Sequence, residues 1–125
     1  MAEILLDSDV IIAWLRGYQP YIALIPELLD QGNSLLWTPV SIAEVYTGVR
    51  RSEEKDVENL FLILEAVPIT HAIGMRAARY LSRYLKSHGL QLGDALIAAT
   101  ASITEVPLWT LNKKHFPPKD LTFYR

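Results

Sequence analysis

Short apolar runs alternate along this chain with longer stretches whose apolar positions recur every three or four residues. Glu3–Leu6, Ser34–Thr38, Ala66–Thr70 and Leu108–Leu111 are too short for amphipathic helices and predict strands. Leu121–Tyr124 is a further candidate strand. Between them the spacing predicts helices over Ser8–Arg16, Pro20–Gln31, Ser41–Arg51, Glu53–Glu65, Ala72–His88 and Asp94–Thr104. Gly17, Gly32 and Gly89 stand just past three of these helices, where a left-handed residue ends the hydrogen-bond ladder. Pro26 falls inside the second helix and predicts a kink or break, because it lacks an amide donor and crowds the turn before it. Strands alternating with helices imply an α/β fold: a three-layer sandwich with a mostly parallel central sheet between helices.

The 125 residues suit one domain, spanning 1–125, with no linker, repeat or low-complexity stretch. A composition of 50% hydrophobic and 21% charged residues excludes a disordered chain or a fibre. With no cysteine, a disulfide scaffold, a thiolate zinc site and a thiol nucleophile are all excluded. The opening residues lack the basic and apolar regions of a signal peptide. No run approaches the roughly 20 apolar residues of a membrane span, so the expectation is a soluble, cytoplasmic protein. The net charge of −2 conceals an imbalance: residues 1–65 carry eleven acids and four bases, residues 66–125 three acids and eight bases. A local anion-binding face is therefore compatible with the small total.

In parallel α/β sheets, sites lie beyond the carboxyl ends of the strands, so polar residues just after strands or at the starts of helices are the candidates, and three acids stand at helix starts. Asp7 follows Ile4-Leu5-Leu6, Glu44 lies early in the third helix, and Asp94 opens a strongly apolar helix. Each has a local alternative. Asp7 and Asp94 could be N-caps, and Ser41-x-x-Glu44 has the form of a capping box. Yet the helices after Asp7 and Asp94 are greasy enough to be buried, which would put their starts inside the protein. Carboxylates gathered there would repel one another unless a cation sat among them. Hard oxygen donors without His or Cys at metal spacing point to Mg2+, with Mn2+ as the other fit, the usual equipment of phosphoryl chemistry.

Four phrases in order resemble PIN-domain nucleases, and more narrowly the VapC toxins of type II toxin–antitoxin modules. They are Leu5-Leu6-Asp7-Ser8-Asp9-Val10-Ile11-Ile12, Ser41-Ile42-Ala43-Glu44-Val45-Tyr46-Thr47-Gly48, Leu92-Gly93-Asp94-Ala95-Leu96-Ile97-Ala98-Ala99-Thr100-Ala101 and Thr110-Leu111-Asn112-Lys113-Lys114-His115-Phe116. The resemblance covers essentially the whole chain. It implies that Asp7, Glu44 and Asp94 form an acidic triad holding Mg2+ or Mn2+, with Asp7 and Asp94 the direct ligands. Ser8 matches the hydroxyl residue after the first Asp, and Thr110 and Asn112 match the polar pair before the last loop. His115 departs from the pattern, since many members carry a fourth acid there. A single tightly held ion is therefore expected, with His115 either a ligand, a phosphate contact or a surface residue. The resemblance further implies an endoribonuclease acting on structured RNA such as tRNA or rRNA, a VapB-type antitoxin and a homodimer.

Basic residues supply candidate RNA contacts. Lys113 and Lys114 adjoin the proposed site, and Arg50 and Arg51 are expected to end the Glu44 helix. Arg76, Arg79, Arg83 and Lys86 share one stripe of the long helix, with Ala77, Ala78, Leu81 and Leu85 as its expected buried face; a plain solvated stripe is the alternative. Trp37 and Trp109 fall in strands and are expected in the core, whereas Tyr18 and Tyr46 suit a partner surface. Two other functions fit parts of the chain. Asp7-Ser8-Asp9-Val10 after a strand matches a haloacid dehalogenase-type phosphatase, but the chain is short for that fold and Glu44 would have no task. A non-enzymatic α/β binding module would use all three acids as caps.

Overall fold

Three of the four strands are buried along most of their length, because their apolar side chains have a hydrophobic layer to enter on either face. The computed structural model describes residues 2–125. Strands β1 (Glu3–Leu6), β2 (Ser34–Trp37), β3 (Glu65–Ala66) and β4 (Leu108–Trp109) form one parallel sheet in the order β3-β2-β1-β4. Glu3, Ile4 and Leu5 pair with Ser34, Leu35 and Leu36, and Leu5 and Leu6 pair with Leu108 and Trp109. Alternation then sorts the side chains. Leu5, Leu36 and Leu108 enter one layer with helices α5 (His71–His88) and α6 (Leu92–Thr104). Ile4, Leu6, Leu35, Trp37 and Trp109 enter the other, with α1 (Ser8–Leu15), α2 (Tyr21–Asp30), α3 (Pro39–Thr47) and α4 (Glu54–Ile63). This is the three-layer α/β sandwich expected from the pattern, with Trp37 and Trp109 in its core.

Several boundaries differ from the sequence reading. Helix α2 runs unbroken through Pro26; the carbonyl that loses its donor belongs to Ile22, a residue exposed on the protein surface where water can serve it. Helix α3 begins two residues early because Thr38 takes the N-cap, its hydroxyl accepting from the amide of Ser41 at 3.3 Å, and Pro39 fits the first turn. It ends at Thr47, so Arg50 and Arg51 do not belong to it: they enter a separate 3-10 turn, where the Arg50 amide donates to Glu53 Oε1 at 3.0 Å. The predicted strand Ala66–Thr70 meets β3 only at Ala66, because β3 starts at Glu65, which was expected in the preceding helix, and Thr70 is the cap of α5, its hydroxyl accepting from Ile73 N. Leu121–Tyr124 makes one parallel bridge, Leu108 to Phe123, and no full strand. On α5 the buried face is Ile73, Ala77 and Tyr80, while Ala78 and Leu85 are exposed. The helix ends as predicted at Gly89, whose φ of +63° suits a residue without a Cβ.

Candidate active site

Strand β1 delivers its carboxyl end straight into α1, and Asp7 occupies the corner. It is the N-cap of α1: Oδ1 accepts from the Ser8 amide at 2.8 Å. Oδ2 accepts from the Thr110 hydroxyl, also at 2.8 Å, across 103 residues of sequence. Capping and site-building are thus one arrangement here. Asp7 is 8% exposed, and burial, with the adjacent negative charge of Asp9, pushes its pKa up to about 7. The bonds from Thr110 and Ser8 oppose that shift, and the charge of Asp94 adds to it. Asp9 is raised as well, chiefly by burial. Its Oδ2 accepts from the Leu111 amide at 3.2 Å, and its Oδ1 is buried without a hydrogen-bond partner among the described residues.

Glu44 reaches the same end of the sheet from α3. Because Thr38 is the cap, the Ser41–Glu44 capping box does not form, and the Glu44 side chain is used elsewhere. Ser8 Oγ lies 2.6 Å from Glu44 Oε1, to which it donates, and 2.9 Å from Ser41 Oγ. Glu44 Oε2 faces α6 at Gly93, where an added Cβ would stand 3.9 Å from it and 3.3 Å from Val40 Cγ1. Gly93 is what lets α3 and α6 approach so closely. The next residue, Asp94, is third in α6 and not its N-cap, a position held by Gln91. Asp94 Oδ2 lies 3.1 Å from His115 Nε2, which a 3-10 turn at Lys113–His115 brings over from the end of β4.

One end of the sheet therefore holds Asp7, Asp9 and Glu44, linked through Ser8 and Thr110, and beside them the pair Asp94 and His115. Among the described residues no three of these ionisable groups close on a single point as a ready ligand set. The donor chemistry nonetheless fits a hard divalent cation. The donors are hard carboxylate oxygens, and Asp9 Oδ1 is orphaned in the interior beside Asp7, where the two carboxyls carry no cationic partner among the described residues.

The model of the PIN domain matches residues 4–117. The chain belongs to the PIN-domain family. Within it, the chain is 41% identical over 115 residues to ribonuclease VapC10 of Mycobacterium tuberculosis, covering 91% of this chain and 86% of that protein. It is 33% identical to ribonuclease VapC19 of the same organism, over 90% of this chain and 91% of the relative. Both relatives place it among the VapC proteins. The toxin fold in DNA-bound VapBC from Salmonella typhimurium superposes with a TM-score of 0.80 over 98% of this chain and 97% of that one; at 16% identity this likeness speaks for the fold alone. Family membership leaves the haloacid dehalogenase reading without support.

Around this PIN site the remaining candidates separate. The side chain of Asn112 is exposed, while its amide donates to Thr110 Oγ1 at 3.1 Å and so helps orient the hydroxyl that holds Asp7. Lys113 and Lys114 are exposed on the turn that carries His115. Arg79 and Arg83 are exposed on α5, whereas Arg76 is engaged with Asp120 at 3.1 Å and Ser102 at 2.6 Å. Arg50 sits beyond the far end of α3, away from the strand ends. Two participants escaped the sequence reading. Asp9 was legible only as part of the Asp7-Ser8-Asp9 phrase, and its burial comes from the loop after β4 folding over it. Asp120 gathers Tyr80, Ser102 and Arg76 around one carboxylate, a contact between distant segments that no local spacing announces.

Proposed function

We propose that this PIN domain, residues 1–125, is a Mg2+-dependent endoribonuclease, with Mn2+ as an alternative ion, and the toxin of a two-component module. The reading rests above all on one observation: acids from three separate elements, Asp7, Glu44 and Asp94, converge on a shared end of the sheet in a chain 41% identical to a ribonuclease. Asp7 and Asp94 are the proposed direct ligands of one tightly held ion, with His115 standing where a fourth acid would favour a second. When bound, such an ion lowers the pKa of a water and offsets charge developing on the phosphate. Thr110 fixes the Asp7 carboxyl and Ser8 fixes Glu44 Oε1, which leaves Glu44 Oε2 free to accept the proton of the attacking water. Lys113 and Lys114 would hold backbone phosphates beside the cut, giving affinity without sequence choice.

The likeness to VapC ribonucleases and to solved VapBC complexes supports a reading of the partners as well. A VapB-type antitoxin is the proposed inhibitor, with structured RNA such as tRNA or rRNA as substrate, a homodimer as the working unit and the cytoplasm as its place. Exposed Phe61, Leu62 and Ile63, with Tyr46 beside Phe61, form an apolar surface suited to a partner chain, and no described helix is long and apolar enough to cross a membrane.

The test is cleavage of a labelled structured RNA with and without Mg2+, beside induction in a bacterial host. Glu44→Gln is expected to lower the cleavage rate by about 10²–10⁴-fold, as loss of a general base does, and to abolish growth arrest. Equal toxicity of Glu44→Gln and the parent would overturn the reading.

A further inference from the structure

The long helix α5 and the tail that follows the site enclose an open groove of about 1170 Å³, outside the acidic centre. Its floor is electrically quiet. Asp120 is compensated by Arg76 and accepts hydrogen bonds from Tyr80 at 2.7 Å and Ser102 at 2.8 Å. Its walls are not: Arg79, Arg83 and Lys119 line the groove, are exposed, and make no ion pair among the described residues. Tyr84 adds an aromatic ring that is half-buried, packed edge-on against His88.

We propose that this groove receives a single-stranded stretch of the RNA next to the cleaved bond, with Arg79, Arg83 and Lys119 on successive phosphates and Tyr84 beneath a base. The proposal rests on the nuclease reading and deepens it. Three observations carry it. The two arginines are one helical turn apart, about 6 Å along the axis, a spacing close to that of neighbouring phosphates on an extended strand. Unpaired cations beside an aromatic ring suit phosphate and base together, where an acidic peptide would use the charges alone. The groove also lies within a short length of chain of the centre. His115 touches Asp94 and Lys119 lines the groove, and with three residues between them their Cα atoms are at most about 14 Å apart. A strand cut at the acids therefore reaches the groove within a few nucleotides.

The test compares the parent with the triple variant Arg79→Gln/Arg83→Gln/Lys119→Gln on two RNAs, a trinucleotide that fills only the centre and a twelve-nucleotide single strand. The expected result is unchanged trinucleotide cleavage, a KM for the longer strand raised at least tenfold, and an unchanged kcat. In an Asp7→Asn background, the slope of log affinity against log salt for the longer strand should fall by about 2, since each lost phosphate contact removes roughly 0.7. Equal KM values and equal slopes would overturn the groove while leaving the nuclease intact. So would loss of a dimer in the triple variant with RNA binding unaltered, which would assign this face to a second copy. Failure of the parent to cut these strands and the labelled structured RNA alike would remove the nuclease reading and the groove together.

Discussion

Asp7 has a cost that is visible at the scale of one side chain. In the folded chain without metal it keeps its proton up to about pH 7, whereas an ordinary Asp releases it near 3.8. Between those values the folded state binds more protons than the unfolded one, so stability is fully present below about pH 4 and falls as pH rises to 7. Asp9, also raised, works in the same direction. Melting in a chelator is therefore expected at a lower temperature at pH 8 than at pH 5, by an amount equivalent to a few kcal/mol. Added Mg2+ should restore more of that loss at pH 8 than at pH 5. Asp7→Asn should flatten the profile, raising the melting temperature at pH 8 while cleavage is lost. A melting curve that rises from pH 5 to pH 8 without metal would contradict this account. Asp120 acts with the opposite sign and at lower pH. Partial burial raises it, but Tyr80, Ser102 and Arg76 outweigh that and hold its carboxyl below the usual range, so its contribution is lost only as acid protonates it.

Between elements, the closest approach belongs to Gly93. In Gly93→Ala the new Cβ would press on Val40 at 3.3 Å, and α3 would have to shift by a few tenths of an ångström, carrying Glu44 with it. Alanine favours a helix over glycine by about 1 kcal/mol, so thermal stability should change little while kcat drops several-fold. Unchanged kcat would show that Glu44 tolerates the shift. The tail offers a second test: Asp120→Ala removes one acceptor shared by three donors and should cost about 1–2 kcal/mol. Hydrogen exchange at the Tyr124 amide, which donates to the Leu108 carbonyl at 2.8 Å, should accelerate in that variant. Legibility also divides at this scale. Helix α5 could be read to within a residue because Gly89 and a long period-3.6 pattern bound it. Helix α3 could not, because Thr38 looked like the end of a strand and Ser41 like a cap. The acids at positions 7, 44 and 94 were legible as acids at or near helix starts. Their linkage through Ser8 and Thr110 was not, since it depends on how the sheet is ordered and not on spacing within any segment.

For the whole molecule, the parallel order β3-β2-β1-β4 puts the strand carrying Asp7 in the middle, flanked by the strands that lead to Glu44 and Thr110. Assembly with partners should leave this framework untouched. Leu62→Asp, at a position 86% exposed, is expected to melt within about 0.5 kcal/mol of the parent and to cleave RNA normally. It should also bind a co-expressed antitoxin or a second copy less tightly, as read by size-exclusion chromatography. Unaltered assembly would move the partner surface elsewhere. The bond between Thr110 and Asp7 has one more implication, for how the protein is made. Asp7 is synthesised 103 residues ahead of Thr110, so a nascent chain that has not reached Thr110 carries Asp7 without the hydroxyl that fixes it. The proposed site comes together only after Thr110 has left the ribosome, and a cell that stops synthesis short of that position releases fragments that should be harmless to its RNA.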